Sequence, residues 1–280
     1  MTVEAHAKVN FTLEVFGKRA DGYHALRSVV MPISLADTLD VEVTDDGLIT
    51  SDTGYDDDLC VKAARILKSS VSTLPSSIGA AIRVAKRIPA GGGLGGGSAD
   101  AAAVLRALNE LWEIGFSREE LAEVGAQVGS DVPALVMGGP VVMEGRGEKV
   151  APLSDLQPST FNLVLVNPGV HSSTKEVYAA CEARPPDGEN ATEKMIAALK
   201  AGHLGKIAAA LMNDLQSPAV RQHPEIADAL VSLRTAGVIG AMMSGSGSSV
   251  FGLVADESEA RRISSEMNAR GYKAWPVQTL

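Results

Sequence analysis

Cysteine and aromatic residues are scarce in this chain of 280 residues, which contains two cysteines and 4% aromatic residues. Cys60 and Cys181 are far apart and lack the spacing of metal ligands. The sequence therefore excludes a disulfide framework and predicts two reduced, buried thiols. Because aromatic side chains are so few, the hydrophobic core must consist mainly of aliphatic residues.

Long apolar runs and an excess of positive charge are also missing. No stretch approaches the roughly 20 apolar residues that cross a bilayer. Residues 2–16 alternate and carry charges, unlike a signal peptide, so a cytoplasmic protein is expected. The net charge of −9 and the pI of ≈ 5.1 exclude a broad nucleic-acid or anionic-membrane surface. Any phosphate-binding site must then be locally basic or built from backbone groups.

What the sequence has in abundance is glycine, concentrated in the segment PAGGGLGGGSADAAA at residues 89–103. Apolar residues from Ala101 to Trp112 then recur with the period of one helix face. This pattern predicts a glycine loop that leads into the N-terminus of a helix, with Ser98 as the N-cap. Such a loop lets bare backbone approach a ligand, and the free N–H groups of a first helical turn favour a phosphate.

Other interpretations of the glycine loop fit the sequence less well. A mobile linker would not end abruptly at an amphipathic helix. A Walker loop ends in Gly-Lys-Ser/Thr, whereas here Ser98 follows Gly97 with no lysine. A dinucleotide fingerprint, G-x-G-x-x-G, can be placed on residues 91–96, but so glycine-rich a stretch satisfies that pattern easily.

The N-terminal segment alternates apolar and polar residues between Ala7 and Val15, which predicts a half-buried strand. Lys8 and Asn10 then share the face opposite the core, and a solvated face is the simplest interpretation for them. Tyr23 and His24 follow a turn-rich loop at residues 17–22. These two side chains could stack on and hydrogen-bond a ring, or they could pack within the protein.

Two aspartates precede predicted helices. Asp58, the last of three acidic residues, is expected to cap a helix beginning at Leu59, which explains the acidic run better than a metal site does. Asp131, in the segment GSDVP, lies where a short helix begins, and an N-cap role would account for it. Separate strands are predicted at 29–33 and 39–43, as the start of an antiparallel sheet.

A polar, proline-bearing segment predicts a domain boundary that divides the chain into residues 1–156 and 157–280. The second part reads as strand, helices, strand, helix, strand, which is an α+β pattern. It contains an apolar run from Phe161 to Val166 that is typical of a buried strand. A second glycine–serine segment, residues 240–249, leads into a further strand.

Three motifs together resemble those of the GHMP small-molecule kinases: AKVN at residues 7–10, the glycine loop, and SGSGSSVFGL at residues 244–253. RADGYH at residues 19–24, the two glycine triplets around Leu94 and GSDVP at residues 129–133 are similar to the members that act on a cytidine-diphosphate-linked methylerythritol. The resemblance implies a two-domain α+β GHMP kinase fold, with a ribosomal S5-like, ATP-binding N-terminal domain and a ferredoxin-like C-terminal domain.

The resemblance also implies roles for individual residues. Asp131 would be the catalytic base that accepts the proton of the attacking hydroxyl, and Lys8 would be its electrostatic partner. Tyr23 and Tyr178 would flank a cytosine ring, and His24 would hydrogen-bond it. The other substrate-binding residues would be Asn10, Thr174, Ser244, Gly245 and Ser246. The ATP-binding residues would be Pro89, Ala90, Gly91, Gly92, Gly93, Leu94, Gly95, Gly96, Gly97, Ser98 and Ala99.

The implied reaction is ATP-dependent phosphorylation of the 2-hydroxyl of 4-diphosphocytidyl-2-C-methyl-D-erythritol, in the non-mevalonate isoprenoid pathway. Mg²⁺ is implied as well, with Ser98 as a candidate ligand and no carboxylate pair to hold the metal. At Asp58 the sequence departs from many relatives, which have asparagine near the adenine, and an ionised aspartate only accepts hydrogen bonds. Two alternative functions stay open: a homoserine or mevalonate kinase, and a non-catalytic nucleotide-binding regulator. The oligomeric state, monomer or homodimer, stays open as well.

Overall fold

The computed structural model describes residues 1–154, 156, 160–185 and 190–280. Within these ranges the strands are β1 (Thr2–Asn10), β2 (Thr12–Lys18), β3 (His24–Thr44), β4 (Ile49–Ser51), β5 (Gly79–Ala85), β6 (Val141–Gly145), β7 (Lys149–Pro152), β8 (Asn162–Asn167), β9 (Met212–Asn213), β10 (Gly240–Met243), β11 (Val250–Val254) and β12 (Lys273–Gln278). The helices are α1 (Leu59–Ser69), α2 (Gly96–Leu111), α3 (Arg118–Val128), α4 (Val132–Met137), α5 (Thr174–Ala179), α6 (Ala191–Lys200), α7 (Leu204–Ala210), α8 (Gln216–Gln222), α9 (Pro224–Thr235) and α10 (Glu257–Ala269).

The larger sheet is organised around β3, which is 21 residues long and pairs antiparallel with β1, β2, β5 and β6. The predicted antiparallel start is confirmed, but the two strands predicted at 29–33 and 39–43 are one. No glycine or proline lies at residues 34–37, so nothing in that stretch ends the strand. A register shift between His6 and Lys8 of β1 lets the long pair bend instead.

The helix that follows the glycine loop, α2, packs against β1 and against α1 and α4. Its buried side chains cover much more than a single stripe, because a run of alanines at residues 101–103 allows close approach to neighbours on several sides. Leu105 and Leu108 are fully buried in this core, and each such side chain contributes about 1.5–3 kcal/mol. The position of the glycine loop is therefore fixed by a well-packed helix.

The second sheet has the order β10-β11-β8-β12 and is antiparallel throughout. The buried strand predicted at residues 161–166 is confirmed as β8. One face of this sheet packs on α9 and α10. From the other face, Phe251 stacks on Phe11 of the first half of the chain, with ring centroids 5.6 Å apart. The two halves of the chain thus share part of one hydrophobic core.

Polar contacts also join the two halves. The two residues of β9 pair with β2, so a segment of the second half extends the first sheet. The carboxylate of Glu14, 1% exposed, accepts hydrogen bonds from the N–H groups of Ala191 and Thr192. The predicted domain boundary falls beside residues 155 and 157–159, which lie outside the described residues, so it stays a prediction.

Two local expectations can be compared with the structure directly. Asp58 caps α1, as predicted, by accepting from the N–H groups of Cys60 and Val61. Both cysteines are free, but only Cys60 is buried; Cys181 is half-buried. No helix in the described part of the chain has the length and apolar character needed to cross a bilayer.

Candidate active site

A cleft of ≈ 1060 Å³ is lined by residues from both halves of the chain. The glycine loop forms its middle. Gly95 of the loop lies beside Lys8 of β1 and Leu135 of α4, and Gly97 lies beside Leu59 at the start of α1. Most of the predicted site residues line this cleft: Lys8, Asn10, Tyr23, His24, Asp131, Thr174, Tyr178, Gly245, Ser246 and residues 89–98.

The first turn of α2 opens into the cleft. The helix begins at Gly96, and its N-cap is Gly95 in the left-handed conformation, with φ of 69°. The prediction of Ser98 as N-cap is therefore wrong, because a left-handed glycine ends the loop three residues earlier. In the described part of the chain no side chain caps this helix. Its first N–H groups are available to an anion, and the helix dipole favours one there.

The second glycine–serine segment packs against the glycine loop and is hydrogen-bonded to it. The Ser249 N–H donates to the carbonyl of Gly92 at 3.1 Å, and the Ser244 hydroxyl donates to that of Gly93 at 3.0 Å. A Cβ atom on Gly93 would lie 2.2 Å from the Ser244 carbonyl oxygen. Only glycine allows this approach. Ser244 is fully buried and, like Ala99, lies outside the residues that line the cleft.

Lys8 and Asn10 are buried, so the solvated face proposed for them from the alternating pattern is wrong. Lys8 is 4% exposed and its Nζ donates to Asn10 Oδ1 at 2.7 Å and to the Gly93 carbonyl at 3.0 Å. The amide of Asn10 in turn donates to Ser28 Oγ at 2.8 Å. The glycine loop covers this face of β1, which is why a polar row of the strand is buried.

Asp131 precedes α4, as predicted, but its carboxylate makes no capping hydrogen bond. An N-cap role therefore does not account for the side chain. It is 34% exposed, and its Oδ2 lies 3.8 Å from Lys8 Nζ. The arrangement leaves an accessible carboxylate beside a buried ammonium group, at the side of the cleft next to the glycine loop.

Aromatic and cationic groups form one end of the cleft. The rings of His24 and Tyr178 lie 5.7 Å apart at an interplanar angle of 30°. The guanidinium of Arg146 lies 5.4 Å from the centroid of the Tyr23 ring. Burial, with a smaller contribution from Lys18, lowers the pKa of His24 below its ordinary value, so its imidazole is neutral at pH 7.

Thr174, one helical turn before Tyr178 on α5, is joined to Ser246 of the second glycine–serine segment. Their hydroxyl groups are hydrogen-bonded to each other at 2.8 Å, and the backbone carbonyl of Ser246 accepts from the Ser172 hydroxyl at 2.7 Å. Gly245 lies beside Lys8 and Gly93. The predicted substrate residues other than Ser244 thus all line the cleft.

An ion cluster beside the glycine loop, with two buried carboxylates, was not predicted from the sequence. Lys86 Nζ lies 2.5 Å from Asp37 Oδ2 and 2.6 Å from Asp100 Oδ2. Burial raises the pKa of Asp100 to about 7, although Lys86 opposes that shift. Asp37 also accepts from the N–H groups of Arg87 and Ile88. The one sequence signal for this cluster was a lysine just before the glycine loop. Its carboxylate partners lie 49 and 14 residues away in the sequence, so the sequence does not show that they meet.

The described residues contain no group of three or more His, Cys, Asp or Glu that could hold a metal ion. Mg²⁺ in nucleotide sites needs few protein ligands, because phosphates and water supply the rest. Ser98 lines the cleft at the first turn of α2, and its hydroxyl has no hydrogen-bond partner among the described residues. The donor set among the described residues therefore fits a Mg²⁺ ion that is held mainly by the nucleotide phosphates.

Comparisons with known proteins agree with this geometry. Models of the GHMP kinases N-terminal domain and the GHMP kinases C-terminal domain match residues 58–139 and 195–273. The 4-diphosphocytidyl-2-C-methyl-D-erythritol kinase of Pelotomaculum thermopropionicum is 42% identical over 94% of this chain and 92% of its own length. That of Symbiobacterium thermophilum is 39% identical, with both chains covered completely. The chain belongs to this family of GHMP kinases.

Solved structures give the same result. A crystal structure of 4-(cytidine 5'-diphospho)-2C-methyl-D-erythritol kinase matches with a TM-score of 0.83 and 35% identity, covering 100% of this chain and 99% of that one. A homoserine kinase from Cytophaga hutchinsonii matches with a TM-score of 0.74 at 18% identity, covering 100% and 94%, and shares the fold alone. The predicted two-domain α+β GHMP kinase fold is confirmed, and the kinase is an ATP-dependent phosphotransferase with an alcohol acceptor.

Proposed function

We propose that this kinase transfers the γ-phosphoryl group of ATP to the 2-hydroxyl of 4-diphosphocytidyl-2-C-methyl-D-erythritol, a step of the non-mevalonate isoprenoid pathway. The observation that carries the proposal is the juxtaposition, in one cleft, of three parts. These are an uncapped helix start for phosphates, the Lys8–Asp131 pair, and an aromatic end with unpaired cations.

The nucleotide phosphates would bind along the glycine loop, residues 89–99. The first turn of α2 offers backbone N–H groups without a side-chain cap. This matters in a chain with a net charge of −9, because backbone groups attract an anion locally without a basic surface. Mg²⁺ would be held at the phosphates by Ser98 and would offset their charge.

Lys8 and Asp131 would carry the transfer step. The Asp131 carboxylate, which is accessible and free of capping, would accept the proton of the attacking hydroxyl as the bond to phosphorus forms. The Lys8 ammonium, fixed by Asn10 and the Gly93 carbonyl, would orient that hydroxyl and offset charge on the phosphoryl oxygens. Phosphoryl transfer depends mainly on such positioning and charge stabilisation.

The aromatic end would hold the cytidine diphosphate. Tyr23 and Tyr178 would stack on the cytosine and His24 would hydrogen-bond it. Arg146 lines the same end, as do the two exposed lysines 18 and 175, and none of these cations forms an ion pair with another described residue. A diphosphate-linked substrate would use such cations, whereas homoserine and mevalonate carry no phosphate. This contrast favours the cytidyl compound over those two alternatives.

Further expectations belong to the same proposal. We infer a cytoplasmic enzyme, for which two free thiols give support. The division into an ATP-binding domain at residues 1–156 and a C-terminal domain at 157–280 is also proposed. The partners would be ATP and the small-molecule substrate, with no nucleic acid and no membrane.

The proposal is tested by ADP release from the purified protein with ATP and Mg²⁺. The cytidyl methylerythritol, homoserine, mevalonate and galactose would be offered in separate reactions. Turnover on the cytidyl compound alone is expected. Turnover on another alcohol would keep the kinase and refute the assignment of Tyr23, His24 and Tyr178. ATP binding without turnover on any compound would favour the non-catalytic regulator.

A further inference from the structure

One side chain outside the cleft lining holds the backbone of the second glycine–serine segment. Asn213, the last residue of β9, donates from Nδ2 to the carbonyl of Met243 at 2.9 Å and to that of Gly245 at 2.8 Å. Its Oδ1 accepts from the Leu215 N–H at 2.9 Å, a local turn that asparagine favours. Both protons of the amide and its oxygen are therefore used at once, which an ionised aspartate cannot reproduce.

The backbone of β9 attaches Asn213 to β2, the strand that follows the one carrying Lys8. The two strands are parallel, with Asn213 opposite Leu13. The Asp214 N–H donates to the Leu13 carbonyl at 3.0 Å. One residue separates β1 from β2, and both strands pair with β3. Asn213 thus connects the sheet that carries Lys8 to the second glycine–serine segment.

The backbone that Asn213 holds lies against Lys8. A Cβ atom on Gly245 would lie 3.1 Å from Lys8 Nζ and 2.8 Å from the Gly93 carbonyl oxygen. That oxygen also accepts from Lys8 Nζ at 3.0 Å. Because such tightly packed groups cannot move independently, a shift of Gly245 would also move the ammonium group. Gly245 lines the cleft and Asn213 does not, so any effect of Asn213 on a ligand would pass through this backbone.

We propose that Asn213 is a positioning residue for phosphoryl transfer, whose amide holds Lys8 in place relative to Asp131 through the backbone of Gly245. The inference rests on the proposed role of Lys8 in the transfer step. Lys8 Nζ lies 3.8 Å from Asp131 Oδ2, and a misplacement of about 1 Å in such a site can cost roughly 100-fold in rate. Nucleotide affinity should depend little on Asn213, because the phosphates would bind at the first turn of α2.

The test compares the full-length protein with Asn213→Asp and Asn213→Ala, using ATP and the cytidyl substrate. Asn213→Asp keeps the shape of the side chain and the acceptor for Leu215 but has no donor when ionised. In both variants kcat should fall about 10- to 100-fold, while the KM of each substrate and the Kd of ADP stay within about threefold. A kcat of Asn213→Asp equal to that of the original protein would overturn the proposal. So would a loss that appears in KM and in the Kd of ADP but not in kcat.

Gln216→Ala is the matched control. Gln216 Oε1 accepts from the N–H of Met243 at 3.0 Å, so this side chain holds the same segment two residues before Gly245. We expect Gln216→Ala to lower Tm but to keep kcat within about twofold of the original. An equal fall of kcat in Gln216→Ala and Asn213→Ala would show a general loosening of the segment and would overturn the specific role of Asn213.

A double-mutant cycle tests whether the effect passes through Lys8. Lys8→Met keeps much of the length of the side chain and removes its charge. In that background Asn213→Ala should reduce the rate by no more than about twofold. The same fold loss in both backgrounds would refute the inference and leave the kinase function intact. A Lys8→Met variant as fast as the original would refute the proposed role of Lys8 and the inference with it. An original protein without turnover on the cytidyl substrate would refute the proposed function itself.

Discussion

Lys8 is an ammonium group buried in a β-sheet, a position that is strongly unfavourable without polar partners. The Asn10 side chain, the Gly93 carbonyl and Asp131 provide them. The alternating sequence was sufficient to place Lys8 and Asn10 on one face of a strand. It could not predict their burial, because the covering residues are remote in sequence: Gly93 is 85 residues from Lys8.

The neutral imidazole of His24 gives a pH prediction at the same scale. Burial and Lys18 lower its pKa, so protonation occurs only below the ordinary value of about 6.5. If the neutral ring hydrogen-bonds the cytosine, the Kd of the cytidyl substrate should be constant from pH 8 to about pH 6.5 and rise below that. Calorimetric titration across this range measures it.

His24→Gln is the control for that profile, because glutamine hydrogen-bonds but does not titrate. Its Kd should be flat over the same pH range. His24→Ala should raise the Kd roughly 2- to 10-fold at pH 7.5, the worth of one hydrogen bond. A weakening already complete by pH 7 in the original protein would show that the pKa is raised and not lowered.

At the scale of elements, the glycine loop and its helix were predictable because the run of glycines and the helical period are local signals. The first residue of α2 was not predictable. Whether Gly95 or Ser98 is the N-cap depends on the left-handed turn that the loop adopts when it is packed. The packing comes from the second glycine–serine segment, which holds the loop through Gly92 and Gly93. No local pattern connects segments that distant.

Gly93→Ala should disrupt the glycine loop. Gly93 has φ of +73°, where a side chain costs about 1–3 kcal/mol. In addition, its Cβ would collide with the backbone of Ser244, so the two segments would have to separate. We expect a lower Tm and an ADP affinity reduced at least about tenfold, measured by thermal unfolding and calorimetry.

Gly97→Ala is the control, in the adjoining first turn of α2. Gly97 has no positive φ, and its Cβ would meet Leu59 Cδ1 at 3.5 Å, an ordinary contact. Its Tm should stay close to that of the original protein. A Gly93→Ala variant as stable as Gly97→Ala would mean that the close approach of the two segments does not constrain the loop.

At the scale of the whole molecule, the α+β class and the kinase fold followed from motif order, which the sequence displays directly. The contacts between the two halves of the chain could not be predicted from the order of the motifs. The pairing of β9 with β2, the stacking of Phe11 on Phe251 and the contacts of Glu14 all join remote residues. These contacts join the two halves of the chain, although each half has its own sheet.

Glu14→Ala should destabilise this junction. It would leave the N–H group of the buried Thr192 without its acceptor, at about 1–3 kcal/mol, and that of the half-buried Ala191 at a smaller cost. The free energy of unfolding, measured in urea, should fall accordingly. Glu257→Ala removes an exposed i,i+4 pair with Arg261 and should cost no more than about 0.5 kcal/mol. Equal effects of the two substitutions would contradict a structural role for Glu14.

Asp131 is proposed to act as the base beside Lys8 in a cleft that binds both substrates. The most direct measurement is the rate of ADP release by Asp131→Asn at saturating ATP and cytidyl substrate, together with its ADP affinity. Asparagine keeps the shape of the side chain but cannot accept the proton. We expect a rate reduced by about 100-fold or more, with the Kd of ADP within about twofold of that of the original protein. A variant that retained more than about a tenth of the rate would contradict it.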